Sequence, residues 1–303
     1  MTTPARGLGA AAGRLWLLLA RPVWWLDRQQ QRSRWTAVPA AVLVRYRDAD
    51  AGNWASLLAY YAFLSLLPAL LLLVTSLGYL LQGDARLQQL ILDTAVSEVP
   101  VIGQQLATDV TSLRGSPGAV VIGLVVAAYG ASGVLRTAHA ALDTVAGVPG
   151  QDRASWLGQH GRAAVVGLLI LVCLLLAAVT GAAAATVSIP LAGQLVSLLV
   201  ALLLAVALLM AALRLLTSRT ATVRATLPGA VVGGVGFTAL HVLGGLYLDR
   251  VVREATLTYG TFATVIGLLA WLYLLARVFV TAAALNAVLA DRSWPVPVVL
   301  RTG

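Results

Sequence analysis

The chain has 303 residues, 59% of them hydrophobic and only 11% charged, whereas soluble domains carry about 25% charged residues. Its apolar residues come in runs of about 20, which predicts membrane-spanning helices rather than a large soluble core. The net charge is +9 and every basic residue is Arg, so the placement of the arginines carries more information than their sum. A single cysteine, Cys173, excludes an internal disulfide and a multi-thiolate metal site. The three histidines, at 139, 160 and 241, are too dispersed to predict a metal site.

Residues 1–50 hold eight Arg against three Asp, with Trp16, Trp24, Trp25 and Trp35 interleaved. Trp and Arg together suit the headgroup zone, so this is read as an interfacial cytoplasmic segment that meets anionic lipid. A nucleic-acid arm uses the same residue types, but no nucleic-acid partner is expected. The apolar piece 15–20 is short and is stopped by Arg21-Pro22, so no cleaved signal is expected.

Residues 51–290 are read as an all-α transmembrane domain of six spans. The first is about 54–81, with Pro68 inside it to kink the helix. An outer loop at 82–117 shows helical apolar spacing on either side of Pro100, which predicts two short amphipathic helices. The second span is about 118–138. A polar loop follows to about 161, with a turn at Gly147-Val148-Pro149-Gly150. The third and fourth spans, about 162–187 and 193–216, form a tight hairpin. The fifth is about 227–248 and the sixth about 259–283, with room to run on to 289. Residues 291–303 are a short tail.

With the N-terminus inside, inner segments carry 16 Arg and outer loops four. That asymmetry predicts a plasma-membrane protein with both termini cytoplasmic. The third and fourth spans are nearly pure Leu, Ala and Val, so they are expected outside, facing lipid. The first, second, fifth and sixth carry the polar residues and are expected to pack together. Gly229 and Gly233, at GxxxG spacing in the fifth span, predict close approach of a neighbouring helix.

Twelve residues make up a candidate polar path: Tyr60, Tyr61, Ser65, Pro68, Tyr129, Ser132, Arg136, His241, Tyr259, Tyr273, Arg277 and Asn286. Pro68 frees a carbonyl that a ligand or a moving helix can use, or merely kinks a helix whose tyrosines bond to neighbours. Tyr129, Ser132, Arg136 and His139 share a stripe; Arg136 lines a path or anchors the helix end. His241 relays a proton or bonds to a helix neighbour. Arg277 interrupts the apolar stretch 267–280, where a charge costs about 2.5–3.5 kcal/mol at the helix centre on insertion scales. No acid is read clearly within a span, so snorkelling or bonds to carbonyls are expected of it.

Several stretches resemble the YihY/BrkB family of bacterial inner-membrane proteins. Leu58-Ala59-Tyr60-Tyr61-Ala62-Phe63-Leu64-Ser65-Leu66-Leu67-Pro68 resembles its first-span signature, and Leu227-Pro228-Gly229-Ala230 the start of its fifth span. Tyr259-Gly260-Thr261-Phe262-Ala263, continuing to Leu269-Ala270-Trp271-Leu272-Tyr273, resembles its sixth span. Leu285-Asn286-Ala287 resembles its closing motif. The resemblance covers about 40–290. It implies six plasma-membrane helices, a virulence-factor label and an old ribonuclease BN label. The chain departs from the pattern at Ala284, where the family usually has an acid, and at Arg277, where it has an apolar residue. These two lie seven residues apart and are expected to face one side of the sixth span.

The scattered acids do not provide the converging carboxylates of a metal nuclease, and no phosphate loop or dinucleotide fingerprint is present. The expectation is a non-enzymatic protein without cofactor or metal. Its role is expected to be membrane transport or translocation, with lipid or lipid-linked envelope precursors as cargo. A scaffold that moves nothing is the first rival and a membrane-tethered ribonuclease the second. Self-association is left open.

Overall fold

The computed structural model describes residues 34–80, 117–150, 190–247 and 261–295, with single positions between 158 and 176. The expected outer-loop helices at 82–117, most of the third span and the segment 1–33 lie outside these residues. The described residues are helical, with no strand among them. Six helices are defined: α1 (Arg34–Asp48), α2 (Ala51–Leu80), α3 (Pro117–Ala146), α4 (Pro190–Leu215), α5 (Val223–Tyr247) and α6 (Thr261–Asp291).

Within the described residues, 195–215, 223–244 and 265–291 are long and apolar enough to cross a membrane. Helix α6 has 31 residues, about 46 Å at 1.5 Å per residue, against a hydrocarbon core of about 30 Å. It therefore reaches past the apolar layer. Large apolar side chains stay exposed on α3, α4, α5 and α6, among them Val125, Leu195, Leu199, Leu203, Val232, Leu243 and Ile266. So much apolar surface is unsuited to water and suited to lipid.

Helix α6 is the centre of the assembly. It touches α1, α2, α3 and α5; α2 packs along α3, and α4 along α5. The core it organises is made of small residues: Ala276, Ala282, Ala283, Ala284 and Ala287, with Val280 and Val288. In lipid no hydrophobic force drives helices together, so close van der Waals contact between small residues must do so. The glycines of α5 show how close. A Cβ on Gly229 would strike the carbonyl oxygen of Ala282, one on Gly233 would sit 2.9 Å from the Ala282 Cβ, and one on Gly236 2.9 Å from Val278. Between α2 and α3 the backbones themselves meet, because a Cβ on Gly130 would lie 2.9 Å from the Ser65 Cα and N.

Three sequence-based expectations change. Residues 34–48 form a helix with a buried face, Ala37 and Ala41, packed on α6 and α2; this part of the N-terminal segment belongs to the bundle. Helix α3 continues past 138 to Ala146, because Ala138, Ala141, Leu142 and Val145 keep burying its core face. It stops at Gly147, whose φ of 71° permits the left-handed residue of a Schellman cap, closed by Val148 N donating to Asp143 O at 2.8 Å and Gly147 N to Thr144 O at 3.1 Å. The fourth span is not wholly peripheral. Its first half is exposed, but Leu209, Ala212 and Leu213 are buried, with Val206 and Leu209 meeting the glycines of α5.

Candidate functional site

The ends of α1, α3 and α6 and the connection from α4 to α5 meet at one end of the bundle. There the apolar core gives way to charge. Asp143, in the last turn of α3, is 1% exposed. Its carboxylate accepts from Ser218 N at 2.7 Å and from Ser218 Oγ at 2.8 Å. Burying a carboxylate is tolerable only with such partners, and this one pins the 216–222 connection to α3. Asp291, at the end of α6, accepts from Arg219 Nη1 at 2.8 Å and pairs with Arg45 Nη2 at 3.6 Å. Arg45 also donates from Nε to Val145 O at 2.8 Å. Arg162 donates to Thr217 O at 3.3 Å.

These residues enclose an open cavity of about 640 Å3, lined by Arg45, Gly147, Val148, Ser218, Arg219 and Asp291 among others. Two guanidiniums share one carboxylate there, so the mouth carries an excess positive charge. All three side chains are about a third exposed, so water and salt screen them and the ties exchange readily. Such a set has the chemistry to accept an anion or to exchange ion-pair partners.

The twelve candidate path residues are held by different partners. Tyr60, Tyr61, Ser65 and Tyr129 gather where α2 meets α3. Tyr61 stacks edge-on to Tyr60 at 5.4 Å and to Tyr129 at 6.4 Å, and packs against Gly133. Ser65 and Ser132 hydroxyls donate to carbonyls of their own helices, those of Ala62 and Tyr129. Arg136 is exposed and donates to Ser132 O at 3.2 Å. Pro68 lies within α2. Tyr60 and Tyr129 are more than half exposed, and His241 is exposed on α5. Tyr259 lies outside the described residues.

Asn286 belongs to the joint between α5 and α6. Pro228 has no amide hydrogen; next to it, Gly229 N donates to Asn286 Oδ1 at 2.8 Å, and Asn286 Nδ2 donates to Thr226 O at 3.1 Å. The Leu-Pro-Gly-Ala and Leu-Asn-Ala stretches thus form one interhelical lock. Arg277 and Ala284 share a helix face, as their spacing of seven predicts, but not an environment. Ala284 is fully buried, while Arg277 is exposed and its guanidinium lies 5.9 Å from the Tyr46 ring centroid and 5.7 Å from that of Tyr273. Two turns along α6 are enough to leave the covered core for the rim of α1.

The acids and arginines of the end cluster were not among the sequence-based candidates. The sequence reading puts Asp143 in the loop after 138, though the apolar spacing through Ala138, Leu142 and Val145 and the following Gly147 signal a helix that runs on. Asp143 thus belongs to the last turn of α3, beyond the expected second span at 118–138.

No curated protein and no solved structure matches the chain. A family model does: that of virulence factor BrkB, over residues 42–297. The match begins within α1 and runs past the end of α6, taking in the end cluster, the Asn286 lock and the α2–α3 tyrosines. On that match, the chain belongs to the virulence factor BrkB family.

Proposed function

We propose that this protein is a six-span plasma-membrane translocator whose ion-paired end is cytoplasmic and acts as a gate. The spacing of the described helices supports the six-span count. The end of α3 and the end of α4 both lie in the cluster, joined by Asp143 and Ser218. Helix α4 begins 26 residues earlier, about 39 Å away at the opposite end, and Arg162 is still at the cluster. The six-span proposal assigns its third span, about 162–187, to the chain between these two points. The concentration of Arg45, Arg162, Arg219 and Arg292 at this end supports its cytoplasmic side.

The observation that carries the gating role is the kind of bond across the cluster. The α2–α3 pair and the α4–α5 pair are bridged deep in the bundle by α6, and at this end by the buried Asp143–Ser218 bonds with exposed ion pairs to Asp291 beside them. Ties of that sort let one pair rock against the other around a fixed seam, as in alternating access. The lipid-facing surface and positive mouth favour an amphiphilic anionic cargo, with no cofactor and no enzymatic step. Asp143 is engaged by Ser218 and Asp291 by Arg45 and Arg219, and they do not form a carboxylate cluster, which counts against the ribonuclease label.

One observation favours the rival scaffold: the described core around α6 is packed with alanine and valine. Proteoliposomes carrying a trace of fluorescent phosphatidylglycerol distinguish the two. Translocation predicts that the protein exposes inner-leaflet label to an external quencher. A disulfide between Asp143→Cys and Ser218→Cys, in a Cys173→Ala background, should stop this, and reductant should restore it. Label that stays protected in all samples supports the scaffold. Single cysteines at Ser97, Ser155 and Ser218 test the topology; only the first should react with an impermeant thiol reagent in whole cells.

A further inference from the structure

The geometry assigns to Arg277, with Tyr46 and Tyr273, a binding site for the phosphodiester headgroup of an anionic lipid. The inference rests on the membrane reading above but not on translocation. Arg277 lies inside the apolar stretch 267–280, and its side chain is exposed on the outside of α6. Among the described residues no carboxylate pairs with it; both ion pairs there are made by Asp291. Asp143 is engaged by Ser218 and Asp50 by Asn53 Nδ2 at 2.6 Å.

What the protein does supply is a platform. The guanidinium sits near the rings of Tyr273, one turn back on α6, and of Tyr46 on α1. Tyr46 is partly buried, with its hydroxyl fully enclosed, so packing holds the ring in place. Rings support a guanidinium from its flat side and leave its edge, with the N–H donors, free. That edge matches a phosphate, which accepts two parallel hydrogen bonds. Arg277 lies 14 residues before Asp291, about 21 Å along α6, and its long side chain lets the guanidinium snorkel part of that way towards the headgroup zone. A charge that faces lipid there finds its counter-charge on the lipid itself. A leaflet rich in anionic lipid supplies it.

The experiment uses the full chain, purified in detergent and stripped of lipid, with native mass spectrometry counting bound phosphatidylglycerol during titration. Wild type should retain phosphatidylglycerol more strongly than phosphatidylcholine, whose headgroup carries its own cation. Arg277→Gln should weaken retention about tenfold, the loss of one charge-assisted bond. Arg277→Lys should fall between, because it keeps the charge but not the fork. Tyr46→Phe should behave as wild type, because it keeps the ring. Millimolar inorganic phosphate should not displace the lipid. Equal retention by wild type, Arg277→Gln and Arg277→Lys overturns the site. Displacement by free phosphate assigns it to a soluble anion instead. If Arg277→Gln changes only the dimer fraction, the occupant is a second copy of the chain. Failure of the translocation assay leaves these outcomes unchanged, so the two readings fail separately.

Discussion

The seam between α5 and α6 and the ion-paired cluster at the ends of α1, α3 and α6 hold the bundle by opposite means. At the seam, Gly229, Gly233 and Gly236 meet Ala282 and Val278 with no room for a methyl group, and Asn286 closes the joint with two bonds. At the cluster, charged side chains about a third exposed share partners across three helices and a connection. The seam depends on shape and is indifferent to salt. The cluster depends on charge and can exchange its partners with water. On the gating proposal, the seam keeps the bundle assembled while the cluster opens.

The largest effect should come from breaking the shape fit. Gly229→Leu places atoms on a backbone carbonyl that cannot move aside, and overpacking of this sort costs about 1–3 kcal/mol or more. The expected result is loss of folded, monodisperse protein in detergent, read by size exclusion and thermal melting. Survival with an unchanged Tm at low and high salt would show that the seam is looser than described. Asn286→Ala comes next. It removes the side chain that accepts from Gly229 N and donates to Thr226 O, at about 1–3 kcal/mol, and Tm should fall equally at all salt concentrations.

Asp143→Ala removes the acceptor for two Ser218 donors. A loss of similar size, about 1–3 kcal/mol, is expected, together with faster proteolysis at 216–222. Asp143→Asn keeps an acceptor and should recover part of it. If both variants are cleaved at the wild-type rate, the connection is not pinned by this carboxylate.

Asp291→Asn should have the smallest effect, under about 1 kcal/mol, as for other hydrated ion pairs. Its distinguishing mark is salt dependence. The Tm gap from wild type should be widest at low ionic strength and close as salt rises. A gap independent of salt would mean that the pair is not screened, and would erase the contrast with the seam.

Much of this was legible in the residues. The long apolar runs predicted helices where α2, α4, α5 and α6 lie, because a chain in lipid must satisfy its backbone within each segment. The GxxxG spacing at Gly229 and Gly233 predicted a close neighbour, and small residues permit little else. Helix α1 was not legible: its buried face is Ala37 and Ala41, which give little hydropathy signal among so many arginines. Most of the candidate path residues stand out as polar groups in apolar spans, but polarity alone does not say which side of a helix is covered. Tyr129 and Arg277 proved exposed, and Asn286 proved to be a lock.

By itself, the sequence determined that this chain lives in a membrane as packed helices, since composition and run length decide which solvent a segment can tolerate. It also determined family membership, through motifs that hold their order along the chain. Only the tertiary structure decided which helix is central, which acids are engaged and where the charge of Arg277 points. Those depend on residues 75 positions apart, such as Asp143 and Ser218, being brought within a hydrogen bond of each other. No local pattern encodes such a distance, because it is set by how every intervening helix packs.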